Sequence, residues 1–209
     1  MIFKNILKNL TMYRLHIFKI LFFELTNIIS GYKGNRFASS KDKNINDNIP
    51  CPYFFLWRIK KKITNKKFST FLDFGSGSGR VIDYFNRNIP NKTFIGIEYY
   101  KNNYNYCKKI FSINRNIHLI NEDFTKYDFL KHNVDCYFLN DPVNNNEIYS
   151  EILKKIINKS NLTNKETLLI FVNFDVSNFD CMKNILCIES YKISDTKGYS
   201  IYCISNLAK

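Results

Sequence analysis

Residues 68–80 constrain this chain more than any other stretch. Residues 68–74, Phe-Ser-Thr-Phe-Leu-Asp-Phe, form a short, largely apolar run that reads as a buried strand, and it runs into Asp73-x-Gly75-x-Gly77-x-Gly79. From Arg80 onward the apolar spacing is that of a helix start. Strand, glycine turn and helix in that order bring a ligand against backbone N–H groups at a helix N-terminus. The dinucleotide fingerprint Gly-x-Gly-x-x-Gly does not fit, because its third glycine would fall on Arg80 or Ile82.

A second run, Phe94-Ile95-Gly96-Ile97, ends on Glu98, nineteen residues after Gly79. An acid at the tip of the second strand of such a unit accepts hydrogen bonds from a ribose diol. The same residues would also serve as a plain strand-to-helix turn followed by a solvated acid.

The remainder alternates between strand-like and helix-like segments. Helices are expected near 79–87, 101–113, 145–158 and 177–184. Strands are expected near 68–74, 93–98, 117–121, 134–140, 167–174, 185–193 and 199–205. Alternation of this kind predicts a mostly parallel sheet with helices on both faces. The link Ser194-Asp195-Thr196-Lys197-Gly198 is too short for a helical crossover, so the last two strands must pair as a hairpin. The fold expected is α/β: a Rossmann-like, doubly wound, seven-stranded sheet with an antiparallel C-terminal hairpin and a basic helical N-terminal extension.

Asp-x-Gly-x-Gly-x-Gly with an acid after the second strand resembles motif I and its partner in the class I S-adenosylmethionine-dependent methyltransferases. Within that family the chain resembles small bacterial members akin to the non-SET histone-lysine methyltransferases. That likeness rests on Phe22-Phe23-Glu24, Ile29-Ser30-Gly31, Pro52-Tyr53, Gly75-Ser76-Gly77-Ser78-Gly79-Arg80-Val81 and Gly96-Ile97-Glu98. It implies S-adenosyl-L-methionine as cofactor, held by Asp73, Gly75, Ser76, Gly77 and Gly79, with Glu98 on the ribose. Asp123, after the third strand, takes the adenine amino group by the same resemblance, with Phe124 as a ring neighbour. The fourth strand ends in Asn140-Asp141-Pro142-Val143-Asn144 and should face the transferred methyl group. Asp141 is the candidate base and Asn140 a candidate acceptor-binding residue. Methyltransferases acting on adenine or glutamine amino groups carry Asp/Asn-Pro-Pro and an aromatic residue at this place, whereas Val143 and Asn144 stand here. A protein side chain or a small molecule is therefore the expected acceptor. RNA or DNA, or a cofactor-binding role without catalysis, are the alternatives.

Charge is unevenly distributed. Residues 1–67 hold fourteen Lys or Arg against three acids, a net of +11, whereas residues 68–209 hold seventeen against fifteen, a net of +2. Lysine-rich composition with only two alanines suggests an AT-rich coding sequence, but that bias would not gather the charge at one end. Residues 1–50 read as a basic amphipathic extension and loop, and 51–209 as the methyltransferase domain. Within the extension, Ile2, Phe3, Ile6, Leu7 and Leu10, then Ile17, Phe18, Leu21, Phe22 and Leu25, keep helical spacing over one or two helices. Charges interrupt them too often for a membrane span. Such a helix suits either packing on the domain or lying in an anionic membrane interface. Residues 30–49 read as a loop or lid. After Pro50-Cys51-Pro52 a helix is expected to bury Phe55, Leu56, Ile59 and Ile63, its basic side (Arg58, Lys60, Lys61, Lys62, then Lys66 and Lys67) either solvated or contacting nucleic-acid phosphates. Six cysteines without a Cys-x-x-Cys pair argue against a metal site and for a reducing, cytoplasmic setting, with peripheral membrane contact through the extension.

Overall fold

The computed structural model describes residues 2–34, 50–141, 145–194 and 197–205, with side chains from Leu15 onward. Residues 35–49 of the loop expected over 30–49, and Pro142, Val143 and Asn144, lie outside the described residues.

Seven strands make one sheet in the order β3-β2-β1-β4-β5-β7-β6. They are β1 Thr70–Phe74, β2 Thr93–Ile97, β3 Ile117–Ile120, β4 Cys136–Asn140, β5 Thr167–Val172, β6 Leu186–Lys192 and β7 Gly198–Ile204. The first five run parallel, β7 pairs antiparallel with β5, and β6 pairs antiparallel with β7. The chain winds outward from β1 to β3, then returns to β4 on the other side of β1. That reversal opens a crevice beyond the carboxyl ends of β1 and β4.

The apolar runs form central strands because helices cover both faces. Alternate residues serve opposite cores. Phe71, Phe138, Ile170 and Val172 join one cluster, and Leu72, Phe74, Leu139, Leu169 and Phe171 the other. On the first side lie α2 (Tyr53–Ile63), α3 (Arg80–Asn88) and α4 (Lys101–Ile110); the second includes α5 (Asn146–Thr163).

Helix α2 buries Phe55, Leu56, Ile59 and Ile63 as its periodicity predicts, and Tyr53 and Phe54 besides. On its basic side, Arg58 and Lys62 both meet Glu189, at 3.4 and 3.0 Å. The expected helix at 177–184 is instead a single 3-10 turn, Asp180–Met182. Polar residues before it bond locally, with Ser177 N–H donating to Asp175 Oδ1, and such bonds compete with helix propagation.

The extension is one continuous helix, α1, Ile2–Ile29. Ile20 and Phe23 pack on the first core cluster. Glu24 Oε1 accepts from Tyr53 N–H at 2.8 Å, and Glu24 Oε2 pairs with Arg80 at 2.7 Å. Arg80 is 5% exposed, lies over the Tyr53 ring and also donates to the Cys51 carbonyl. Beyond α1, Lys33 N–H donates to Asp83 Oδ2, and the Gly34 carbonyl accepts from Ser78 Oγ. A Cβ on Gly34 would lie 2.2 Å from Arg80 N, so only glycine admits this approach to the start of α3.

Candidate functional site

The glycine turn closes β1 and opens α3 at the crevice. Gly75, Gly77 and Gly79 all have positive φ, at 71°, 54° and 86°, a region costly for other residues. Sequence alone suggests bare backbone donors there, but several are already bonded. The N–H groups of Gly75 and Ser76 both donate to Ile97 O, and Gly79 N–H donates to Ser76 O. Gly77 N–H donates to Glu98 Oε2 at 2.7 Å. Cys107 Sγ supports the turn from α4 by donating to Gly77 O.

Glu98 is thereby brought onto the turn. Its other oxygen accepts from Tyr100 N–H at 2.7 Å. Burial raises its pKa, while the N–H groups of Tyr100 and Gly77 and the Asn103 side chain oppose that rise. Asp73, 2% exposed, is close enough to feel the Glu98 charge. Burial, with Glu98 adding to it, pushes the Asp73 carboxyl up to about 8. Asp73 Oδ2 is buried without a hydrogen-bond partner, as is Ser76 Oγ. Unmatched buried polar atoms are costly unless something else bonds them, and here two occur within four residues.

Asp123 and Phe124 follow β3. Asp123 Oδ1 accepts from the N–H and hydroxyl of Thr125, which starts a 3-10 turn at Phe124–Lys126. The Phe124 ring turns into the core, edge-on to Phe74 at 5.8 Å, so it underlies the strand tips rather than lining the crevice. Tyr99, which sequence reasoning passed over, is 48% exposed immediately after Glu98. The only signal for it was an aromatic residue one position beyond the strand-end acid.

At the neighbouring tip, Asp141 is half-buried with φ 43°. Burial pushes its carboxyl up to about 6, against the pull of Lys197. Asn140 Oδ1 accepts from Asn173 Nδ2 at 3.2 Å across the ends of β4 and β5. Asn173 also has positive φ, 58°, and its Oδ1 is buried without a partner. Tyr149 of α5 stacks on Phe174 at 4.0 Å, is fully buried, and leaves its hydroxyl unpartnered. Burial raises the Tyr149 phenol, and the Asp141 charge raises it further. A cavity of about 300 Å³ opens beside this tip, its lining including Asn173, Phe174, Lys197 and Tyr202. Asn173 and Tyr149 therefore join Asn140 and Asp141, though neither stands out in the sequence.

The arrangement holds two adjoining sets of groups. One, at β1 and β2, offers acids and a glycine turn; the other, at β4 and β5, offers a carboxyl with raised pKa and two amides.

Residues 71–158 match a family described as a methyltransferase domain. No curated protein matches the chain. Among solved structures, the chain is similar to a SAM-dependent methyltransferase from Aquifex aeolicus at 13% identity and TM-score 0.54, covering 71% of this chain and 89% of that one. An RNA methyltransferase from Salinibacter ruber, in complex with S-adenosyl-L-homocysteine, is similar at 13% identity and TM-score 0.54, covering 77% and 97%. The human methyltransferase 10 domain containing protein reaches 15% identity and TM-score 0.56, covering 77% and 84%.

Proposed function

We propose that the chain is an S-adenosylmethionine-dependent methyltransferase, and that its acceptor is a protein side chain or a small molecule. The observation that carries the reading is the convergence of Asp73 and Glu98 on the glycine turn at the point where the sheet reverses its winding. Asp73 keeps a buried carboxyl oxygen without a partner, and an ammonium such as that of the cofactor's methionine part would pair with it and draw it into its ionised form. Glu98 holds Gly77 and Tyr100 N–H groups at distances that a ribose diol can share or replace. Tyr99, exposed immediately after Glu98, offers a ring face for adenine, and Asp123 is the proposed partner of the adenine amino group.

When bound, the cofactor supplies a methyl group on a sulfonium, whose departure needs no acid. The protein's task is to orient the acceptor and exclude water. Asn140 and Asn173 provide amide groups at the strand tips that can hold an acceptor by hydrogen bonds. Asp141 takes the proton when the acceptor is an ammonium or a hydroxyl, and a carboxyl raised to about 6 is a stronger base than an exposed one. Nucleic acid is the weaker reading. Two of the six basic residues that would grip phosphates, Arg58 and Lys62, are committed to Glu189.

Calorimetric titration with S-adenosylmethionine and S-adenosylhomocysteine tests the proposal, with Gly77→Arg as control. At φ 54° a side chain is strained and points bulk at the turn, so binding should be abolished. No heat from folded wild-type protein would leave the turn purely structural and favour a scaffold without catalysis.

A further inference from the structure

We infer that the exposed face of α1 docks the protein on an anionic lipid surface. A helix packed on its domain by one face normally shows solvent a polar face. Helix α1 does not. His16, Ile20, Phe23 and Glu24 turn inward, toward Tyr191, the core, the Phe54 and Trp57 rings, and Arg80. The opposite arc, about a third of the circumference at about 3.6 residues per turn, carries Leu15, Phe18, Leu21, Phe22, Leu25 and Ile29. Of these, Phe18 is 70% exposed, Phe22 63%, Leu25 61% and Ile29 82%. Of the thirteen exposed large apolar side chains among the described residues, eight lie on this one helix. Soluble surfaces rarely gather such a patch without something that covers it.

Charge chooses the occupant. The helix belongs to the segment 1–67, whose net charge is +11, fourteen basic residues less three acids. Exposed Lys19 lies on α1 itself, and Lys61 lies over the Trp57 ring that packs on Phe23. Two copies meeting through α1 would bring two such segments together, and like charges oppose that contact. A polyanionic nucleic acid would match the charge but leave phenylalanine and leucine without an apolar partner. An anionic bilayer interface satisfies both, since apolar side chains enter the acyl boundary while lysines meet headgroups. The arc is also wider than the narrow seam of a two-stranded coiled coil. No helix among the described residues is long and apolar enough to cross a membrane, so the contact is one of lying on the surface. This inference does not depend on the cofactor.

The test is co-sedimentation of the full chain with vesicles of phosphatidylcholine alone, or of equal parts phosphatidylcholine and phosphatidylglycerol. Wild type should bind the anionic vesicles at least about tenfold more tightly, given the contribution of each lysine near such a surface. Phe18→Glu/Phe22→Glu should lower that binding by more than about tenfold, with unchanged far-ultraviolet circular dichroism because both side chains face solvent. Lys19→Glu, at the border of the arc, should weaken binding to anionic vesicles only. Three results overturn the inference. One is a chain that stays in the supernatant with both lipids; another is sedimentation insensitive to the Phe18 and Phe22 substitutions. The third is a dimer in light scattering that Phe18→Glu/Phe22→Glu dissociates while lipid binding is absent.

Discussion

Asp73→Asn should stabilise the ligand-free protein, and more so as pH rises. In the folded chain the Asp73 carboxyl is pushed from 3.8 up to about 8. Between those values the native state keeps the proton that the unfolded chain releases, so stability is full below about pH 4 and is lost as pH rises toward 8. At pH 7 the gap of 7 less 3.8 units, at about 1.4 kcal/mol each, amounts to about 4 kcal/mol favouring the unfolded chain. Asparagine removes that term at every pH. Its amide must still find partners where Oδ2 has none, an unmet need of about 1–3 kcal/mol. The expected net gain at pH 7 is therefore about 1–3 kcal/mol, or several degrees in Tm for a chain of this size, fading to nothing or reversing near pH 4. Thermal unfolding of both proteins across that range measures it. A difference that stays constant with pH, or a variant less stable at pH 7, would refute the picture of a buried, unpaired acid. The same substitution should weaken S-adenosylmethionine binding, because an amide is a poorer partner for an ammonium.

Asp141→Asn should lower kcat by about 10²–10⁴ while leaving cofactor affinity intact, and wild-type activity should climb through about pH 6 as Asp141 ionises; a rate flat across that range would exclude it as the base. Glu24→Ala leaves Arg80, 5% exposed, without its carboxylate and should cost about 3 kcal/mol in chemical denaturation. Gly79→Ala places a Cβ 2.6 Å from Phe111 Cε2 at φ 86°; a loss of about 1–3 kcal/mol is expected from the strained backbone alone, and an unaltered midpoint would mean that the turn relaxes freely.

The sheet was legible because its strands are buried on both faces. Runs such as Tyr137-Phe138-Leu139 supply apolar side chains to both cores, and their ends fall within two residues of the expected boundaries. The antiparallel hairpin followed from the length of one link. The segment 177–184 was misread as a helix because its apolar spacing hides the local bonds of Asp175 and Ser177. At the site, the glycines and acids were visible but their bonding was not. Nothing in Asp-x-Gly-x-Gly-x-Gly reveals that Ile97 O takes two of the turn's N–H groups. Asn173 and Tyr149 were invisible for a related reason. They become a site only when the ends of β4 and β5, thirty-three residues apart at Asn140 and Asn173, are set side by side.

The carboxylate of Glu98 on Gly77 and Tyr100 N–H makes the chain its own competitor. Within the chain itself the turn is braced by Glu98, whose two N–H partners occupy the acceptor sites that a diol's hydroxyls would use. On the proposed function, an arriving ribose would exchange one set of hydrogen bonds for another of similar strength, and such an exchange gains little net affinity. Retention must then come from the other end of the guest, where Asp73 has an unmet bond to offer. On that proposal, the division would let a product with the same ribose leave without unravelling the turn that received it.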